Sequence, residues 1–430
     1  MKFIGKLAML GVACISLTAC EQVQKVAADA AGLPTDKNIL FWTDAQRDKA
    51  FRMMDVLVPS NTIAAGDNPR ELEAGNPLPD SFEVAGERLS IDDYMEQQRL
   101  AGMVILQDGK IRKEEYRRDF EQDERWTSFS VAKSLVSTLV GAAIKDGFIK
   151  SIDDPLTAYI PELKGSGYDG VTVLQLLTMT SGVKWNEDYA DPKSDVALFN
   201  NTKPVDGMDP IIVYMKTLEN EATPGTRWQY NTGETNLIGV LVAKATGKTL
   251  SEYLSEKVWK PYGMGQDAEW LLNEGGKEIG GCCISATVRD YALFGQFAMN
   301  GGKVGETSVV PEGWFEKAGT KQADIGVPGR GYGYQWWTFD DGSFGGQGIF
   351  GQGIFIDPAQ KLVIATNGNW PSASPDTQKN QRIAFFEAVK NMWQPSRRRA
   401  DPSPSADLEM LAGVEIAGEY FDQPLGDDRG

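Results

Sequence analysis

Histidine is missing from all 430 residues of this chain. That absence excludes every Ser-His-Asp and Cys-His catalytic set, every H-E-x-x-H zinc site and any imidazole proton shuttle. Cysteine is scarce as well: there are 4, and past residue 20 only Cys282-Cys283 remain. Adjacent cysteines make a poor staple, because a bond between neighbours constrains almost no chain. They are expected as two small buried thiols, although an oxidising compartment would permit a vicinal disulfide. Basic charge is in deficit, 43 Lys and Arg against 60 Asp and Glu, for a formal charge of −17. That balance argues against nucleic acid or any other polyanion as a partner and points to a solvated acidic surface. Past residue 20 no apolar run approaches the roughly 18 to 20 residues that span a bilayer. No residues stand at metal-ligand spacing, so neither a metal nor a cofactor is implied.

What the chain does have is Ser130-Val-Ala-Lys133 opening an apolar run to Ile144, with Lys133 its only charge before Lys145. Such a run describes a helix buried on every side. Ser130 and Lys133, three positions apart, share one helix face about one turn apart. A hydroxyl attacks a carbonyl only when something removes its proton, and without imidazole that agent can be a lysine. Burial must then push the amine from about 10.4 toward 7, roughly 4 kcal/mol against its charged form. A serine at the helix start also meets free N–H groups and the positive end of the helix dipole, which suit a developing oxyanion. The S-x-x-K pattern recurs at Ser181-Gly-Val-Lys184, but that copy runs into Trp185-Asn-Glu-Asp, a loop composition with no helix behind it. It is read as a decoy.

Along the chain, residues 1–20 read as an export signal: Lys2 and Lys6, an apolar run, then Leu17-Thr-Ala-Cys20. Small residues directly before a cysteine resemble the lipobox of bacterial lipoproteins. By that resemblance Cys20 becomes the lipidated first residue of a mature envelope protein, held at the membrane through lipid alone on the periplasmic side. Glu21 after the cysteine leans toward the outer membrane. Residues 21–38 form a tether, 39–395 the folded domain, and 396–430 a largely unpacked tail. Asp108-Gly109 marks a hairpin between Met103–Gln107 and Lys110–Tyr116. About 152–260 is mainly helical, strands are expected again at Tyr332–Trp337, Gly346–Ile356 and Leu362–Thr366, and Gln381–Met392 closes as a helix. The fold class is therefore α/β (α+β), a sheet domain with an inserted helical lobe and a cleft where the two meet.

Tyr230-Asn-Thr232 precedes the apolar run Leu237–Ala243 and resembles the second motif of the serine β-lactamase and penicillin-binding superfamily. The order of Ser130-Val-Ala-Lys133, Leu176-Leu-Thr-Met-Thr-Ser-Gly182, the Tyr230 block, Val258-Trp-Lys-Pro-Tyr-Gly-Met264, Gly331-Tyr-Gly-Tyr-Gln-Trp-Trp337 and Gly348-Ile-Phe-Gly-Gln352 is similar to that of class C β-lactamase-like hydrolases. The 6-aminohexanoate-dimer hydrolase branch and family VIII esterases look nearest. The resemblance covers roughly Trp42 to Trp393 and implies an antiparallel sheet of the β-lactamase/transpeptidase kind, flanked by helices. It implies Ser130 as nucleophile, Lys133 as general base and Tyr230 as proton relay to the leaving group. A tyrosine beside a cationic lysine is expected to lose some of its phenol pKa of about 10. Thr232 stands where the family has asparagine or serine, so a weaker hydrogen bond to Lys133 is expected. The Lys-Thr-Gly and Ser-Asp-Asn motifs are absent, and Ile349-Phe-Gly351 with Gln352 occupies the third position. By analogy the N–H groups of Ser130 and Gln352 form the oxyanion hole and Gly351 admits the substrate backbone. The tandem Gly-Gln-Gly-Ile-Phe leaves the register open by one repeat. Tyr189 and Trp185 are candidates to line the cleft, with packing the alternative for both.

Without the motif-three lysine, the cation that would grip a β-lactam carboxylate is gone. The expectation is a serine hydrolase of small amide, ester or peptide-like substrates acting through an acyl-enzyme. Two alternatives stay open: a weak β-lactamase, and a non-hydrolytic envelope lipoprotein that uses its cleft to bind peptidoglycan or another partner. The oligomeric state is not legible.

Overall fold

The structure is a computed structural model that describes residues 39–84 and 87–392, with 26, 28, 32–34 and 36 ahead of them. The export signal, Cys20 and the 396–430 tail lie outside the described residues.

Asp108 and Gly109 both take positive φ, 50° and 76°, as a two-residue hairpin turn demands. Around them Leu100–Gln107 and Lys110–Tyr116 pair antiparallel. The first is buried over Leu100–Leu106, and the second is partly exposed along most of its length, as an edge strand is. After the lobe the chain returns to extend this hairpin. The finished sheet runs Arg330–Tyr332, Trp337–Phe339, Phe344–Gln347, Gly353–Asp357, Leu362–Gly368, Leu100–Gln107, Lys110–Tyr116, antiparallel throughout.

Alternation along the strands divides the core in two. Val104, Leu106, Ile354 and Val363 face the helices Ala132–Lys145 and Val288–Met299, whereas Met103, Ile105, Phe355 and Ile364 face Phe385, Phe386 and Val389 of the closing helix Asp376–Asn391. Between the sheet halves the lobe carries helices Val173–Leu177, Asp195–Asn200, Pro210–Met215 and Thr232–Thr246. Asn231 caps the last of these by accepting from Glu234 N at 3.0 Å, and Gly247 ends it at φ 70°. Among the described residues no helix is long and apolar enough to cross a membrane.

Two expected strands are broken. Tyr332–Trp337 splits around a turn in which a Cβ on Gly333 would lie 1.9 Å from Ala318 O and Gln335 takes φ 63°. Gly346–Ile356 is a hairpin: Phe344–Gln347 pairs with Gly353–Asp357 across the loop Ile349–Gly351. Phe350, at φ 61°, leaves the sheet there and packs its ring against Phe51 and Phe129. The run read as continuous strand because a buried phenylalanine looks alike in either place.

Cys282 and Cys283 form a vicinal disulfide, not two thiols. Cys283 adopts φ 78° at this bond.

Candidate active site

Ser130 sits in a single turn of 3-10 helix, Phe129–Val131, that feeds directly into Ala132–Lys145. Ser128 fixes that turn from behind: its amide donates to Ile284 O at 2.7 Å and its hydroxyl accepts from Ile284 N at 3.0 Å. Beyond the turn every residue from Ala132 to Ala143 is buried, as the apolar run requires.

Lys133 is 2% exposed. Its Nζ lies 3.3 Å from Ser130 Oγ, 3.1 Å from Thr232 Oγ1 and 2.7 Å from Gly281 O. A neutral amine has two hydrogens and one lone pair. If Gly281 O and Thr232 Oγ1 take the hydrogens, the lone pair is left for the Ser130 hydroxyl. Burial pushes the Lys133 pKa down to about 8, while the Glu187 carboxylate pulls it up. The net direction is toward the neutral amine, with Glu187 working against it.

Tyr230 meets the same serine, its phenol hydrogen-bonded to Ser130. Its ring stacks on Trp337 at 5.7 Å and 17°, and Lys133 Nζ lies 5.3 Å from the ring centre. Burial first, and Glu187 second, raise the phenol pKa, and the bond to Ser130 offsets only part. This reverses the expected drop: the desolvation of the phenolate outweighs the nearby amine. Tyr230 is held as a phenol.

Thr232 is tied more fully than its departure from the family pattern suggested. Its amide donates to Glu187 Oε2 at 3.0 Å, its hydroxyl donates to Glu187 Oε1, and the same hydroxyl accepts from Lys133. Glu187 also accepts from Tyr189 OH at 2.7 Å and from Trp185 Nε1. Tyr189 therefore stands at the site, beside Tyr230 and Thr232. Trp185 is 3% exposed and packs edge-on against Phe199 and Tyr214, so its ring is core. The sequence reading missed Glu187, because a lone acid in a loop carries no spacing signature, and it missed Gly281, whose part is played by a carbonyl.

The second S-x-x-K copy comes apart. Ser181 is buried, donating to Glu234 and accepting from Val183 N, while Lys184 is exposed. Glu234 itself is 1% exposed, with Oε2 lacking any hydrogen-bond partner, and burial raises its pKa to about 8.

The two copies of the Gly-Gln-Gly-Ile-Phe repeat sit differently against the serine. Gly346 and Gly348 lie against the serine turn and its helix: a Cβ on Gly346 would be 3.0 Å from Ser134 Oγ, and one on Gly348 2.6 Å from Ser128 O. Gln352 is across the hairpin, its carbonyl accepting from Gly348 N and its side chain bonded to Ile349 O and to both backbone groups of Gly368. Gly351 is pressed on the Trp370 indole, where a Cβ would be 2.6 Å from Nε1. It is Gly346 and Gly348 that touch the elements carrying Ser130, and an exact repeat could not reveal which copy does so. Among the described residues no group of three or more His, Cys, Asp or Glu could hold a metal ion.

The sequence family described as Beta-lactamase matches residues 89–388. A 6-aminohexanoate-dimer hydrolase of Paenarthrobacter ureafaciens is 32% identical over 367 residues, 81% of this chain and 91% of that protein. A solved protein of Bacillus anthracis superposes with a TM-score of 0.73 at 23% identity, covering 84% of this chain and 97% of its own. A class C beta-lactamase mutant superposes at 0.54 with 17% identity, covering 70% and 95%. Both superpositions are of the fold.

Proposed function

This chain belongs to the beta-lactamase family and is a serine hydrolase, and we propose that it cleaves small amide or ester substrates through an acyl-enzyme on Ser130. Lys133, neutral, takes the Ser130 proton as Oγ attacks the carbonyl. Tyr230, a phenol at rest, gives its proton to the leaving amine or alcohol and recovers one from Lys133. Water then enters by the reverse route and frees the acyl group. The oxyanion is received by Ser130 N–H and by an amide of the Gln347–Ile349 stretch. Gly348 N–H is spent on Gln352 O, and alternation turns its neighbours' amides off that strand pair toward the serine.

The observation that carries this reading is the set of partners around Lys133, which accounts for each of the amine's bonding directions and leaves the last for Ser130. The Paenarthrobacter relative is named a 6-aminohexanoate-dimer hydrolase, and since an amine and a carboxylate join as an amide, the name supports an amide as one substrate. The missing Lys-Thr-Gly cation argues against efficient β-lactam turnover. Incubation with a fluorophosphonate should label Ser130, and short-chain p-nitrophenyl esters should be cleaved far faster than a chromogenic cephalosporin. An unlabelled Ser130, or fast cephalosporin turnover beside inert esters, would overturn it.

The placement is a second part of the proposal. The Leu17-Thr-Ala-Cys20 motif supports export and lipidation at Cys20, with the enzyme held on the periplasmic side of the envelope. Labelled palmitate should enter the chain and should be lost in Cys20→Ser.

A further inference from the structure

The shortest hydrogen bond of Lys133, 2.7 Å, goes to Gly281 O, and Gly281 is the residue just before the Cys282–Cys283 disulfide. Just after it, Ile284 exchanges hydrogen bonds with Ser128 and so fixes the turn that carries Ser130. One short loop thus grips the lysine on one side and the serine turn on the other, with the disulfide between the two grips. The loop lies flush on the helix that starts at Thr232: a Cβ on Gly280 would be 2.8 Å from Thr235 O, and one on Gly281 2.9 Å from Thr232 O. Cys283 is held at φ 78°, a region that a non-glycine residue occupies only where the surroundings impose it. A covalent ring closed across the single peptide between the two cysteines is such an imposition.

We propose that the Cys282–Cys283 disulfide is a positioning device for the Lys133 base, holding the Gly281 carbonyl on Nζ so that the lone pair is aimed at Ser130, and that its reduction makes hydrolysis thiol-sensitive. The inference rests on Lys133 acting as the base. Cys282 is partly exposed and Cys283 is 6% exposed, so an attacking thiolate reaches Cys282 Sγ first. The S–S bond breaks, its electron pair leaves on Cys283 Sγ, and that sulfur takes a proton. A dithiol finishes by displacing Cys282 Sγ with its second sulfur and departs as a disulfide, having given the protein two electrons and two protons. Cys283 then relaxes out of the left-handed region and the Gly281 carbonyl swings off Nζ. The amine loses an acceptor that favours its ammonium form and loses its aim.

In the full chain as purified, mass mapping should find the peptide bearing both cysteines lighter by two hydrogens than after reduction. Titration with dithiothreitol should lower kcat roughly tenfold with little change in KM, and should move the acid limb of the pH–rate profile to lower pH. Reoxidation with diamide should restore both. The variant Cys282→Ser/Cys283→Ser should start at the low kcat and ignore dithiothreitol; if it fails to fold, the wild-type titration decides alone. Two free thiols in the active chain as purified, or an unchanged kcat and pH limb after complete reduction, overturns the proposal. Fluorophosphonate labelling separates the two readings: Ser130 labelled in both redox states with turnover unchanged sinks the disulfide's role alone, and no label in either state sinks the lysine mechanism beneath it.

Discussion

Glu187 and Thr232 are bonded twice, backbone amide to Oε2 and hydroxyl to Oε1, and the same Thr232 hydroxyl accepts a hydrogen from Lys133. A carboxylate is thereby linked to the lysine through one hydroxyl, and its charge is felt: Glu187 raises the amine pKa against the pull of burial. The lysine is poised between two opposed effects, which gives each partner a measurable signature.

The pH profile follows from that balance. Lys133 must be uncharged to act, and its pKa is pushed down to about 8. For p-nitrophenyl ester hydrolysis, kcat/KM should rise about tenfold per pH unit below that value and level off above it. Glu187→Gln removes the opposing carboxylate, so its limb should move to lower pH. A limb that stays in place in Glu187→Gln would remove Glu187 from the lysine's electrostatics.

Thr232→Val keeps the shape but takes away both the acceptor for Lys133 and the donor to Glu187. Turnover should fall by roughly tenfold to a hundredfold, with KM changed little, while Thr232→Ser should recover most of it. Steady-state kinetics of the three proteins decide this. Equal loss in Val and Ser would point to packing and away from the hydroxyl.

Much of this was legible in the sequence. The helix of Ser130 and Lys133 announced itself because a charge inside a fully apolar run needs a reason, and Asp108-Gly109 fixed its hairpin because few other residues accept φ of 50° and 76° in succession. The parts that were hidden have physical causes. Glu187 acts from a loop, Gly281 acts through a carbonyl that every residue has, and the stacking of Trp337 on Tyr230 joins residues far apart in the chain. The tandem Gly-Gln-Gly-Ile-Phe hid its register because its two copies carry the same side chains, and only the pairing of Gly346 with Ile354 tells them apart.

The lysine should also be visible in stability. Its folded pKa of about 8 lies below the ordinary 10.5, so between these values the unfolded chain keeps a proton that the folded chain has released. Stability contributed by this group therefore rises with pH across that window, by about 1.4 kcal/mol per unit at most. Lys133→Met has no such term. The stability of Lys133→Met minus that of wild type, from urea unfolding, should fall by roughly 3 kcal/mol from pH 8 to 10.5. A flat difference would mean an amine with an ordinary pKa, which cannot serve as the base near neutrality.

Glu234 gives the opposite slope, and for a reason that can be separated from catalysis. It is buried in the first turn of the helix that follows Tyr230, accepting from Ser181 on one oxygen while the other has no partner. Its pKa is raised from 4.5 to about 8, so between those values the unfolded chain sheds a proton that the folded chain retains. Stability from this group falls as pH climbs through that window, by at most about 1.4 kcal/mol per unit. Glu234→Gln keeps an acceptor for Ser181 and puts an amide nitrogen where the unpartnered oxygen stood, so no existing bond is lost. Relative to wild type, the variant should gain stability steadily from pH 5 to 8 and hold that gain above 8, with kcat at pH 7 little changed because the native carboxyl is already protonated there. Parallel stability curves for the two proteins would show that Glu234 is ionised in the fold, and the buried link between Ser181 and the start of the helix that follows Tyr230 would then have to be a charged one.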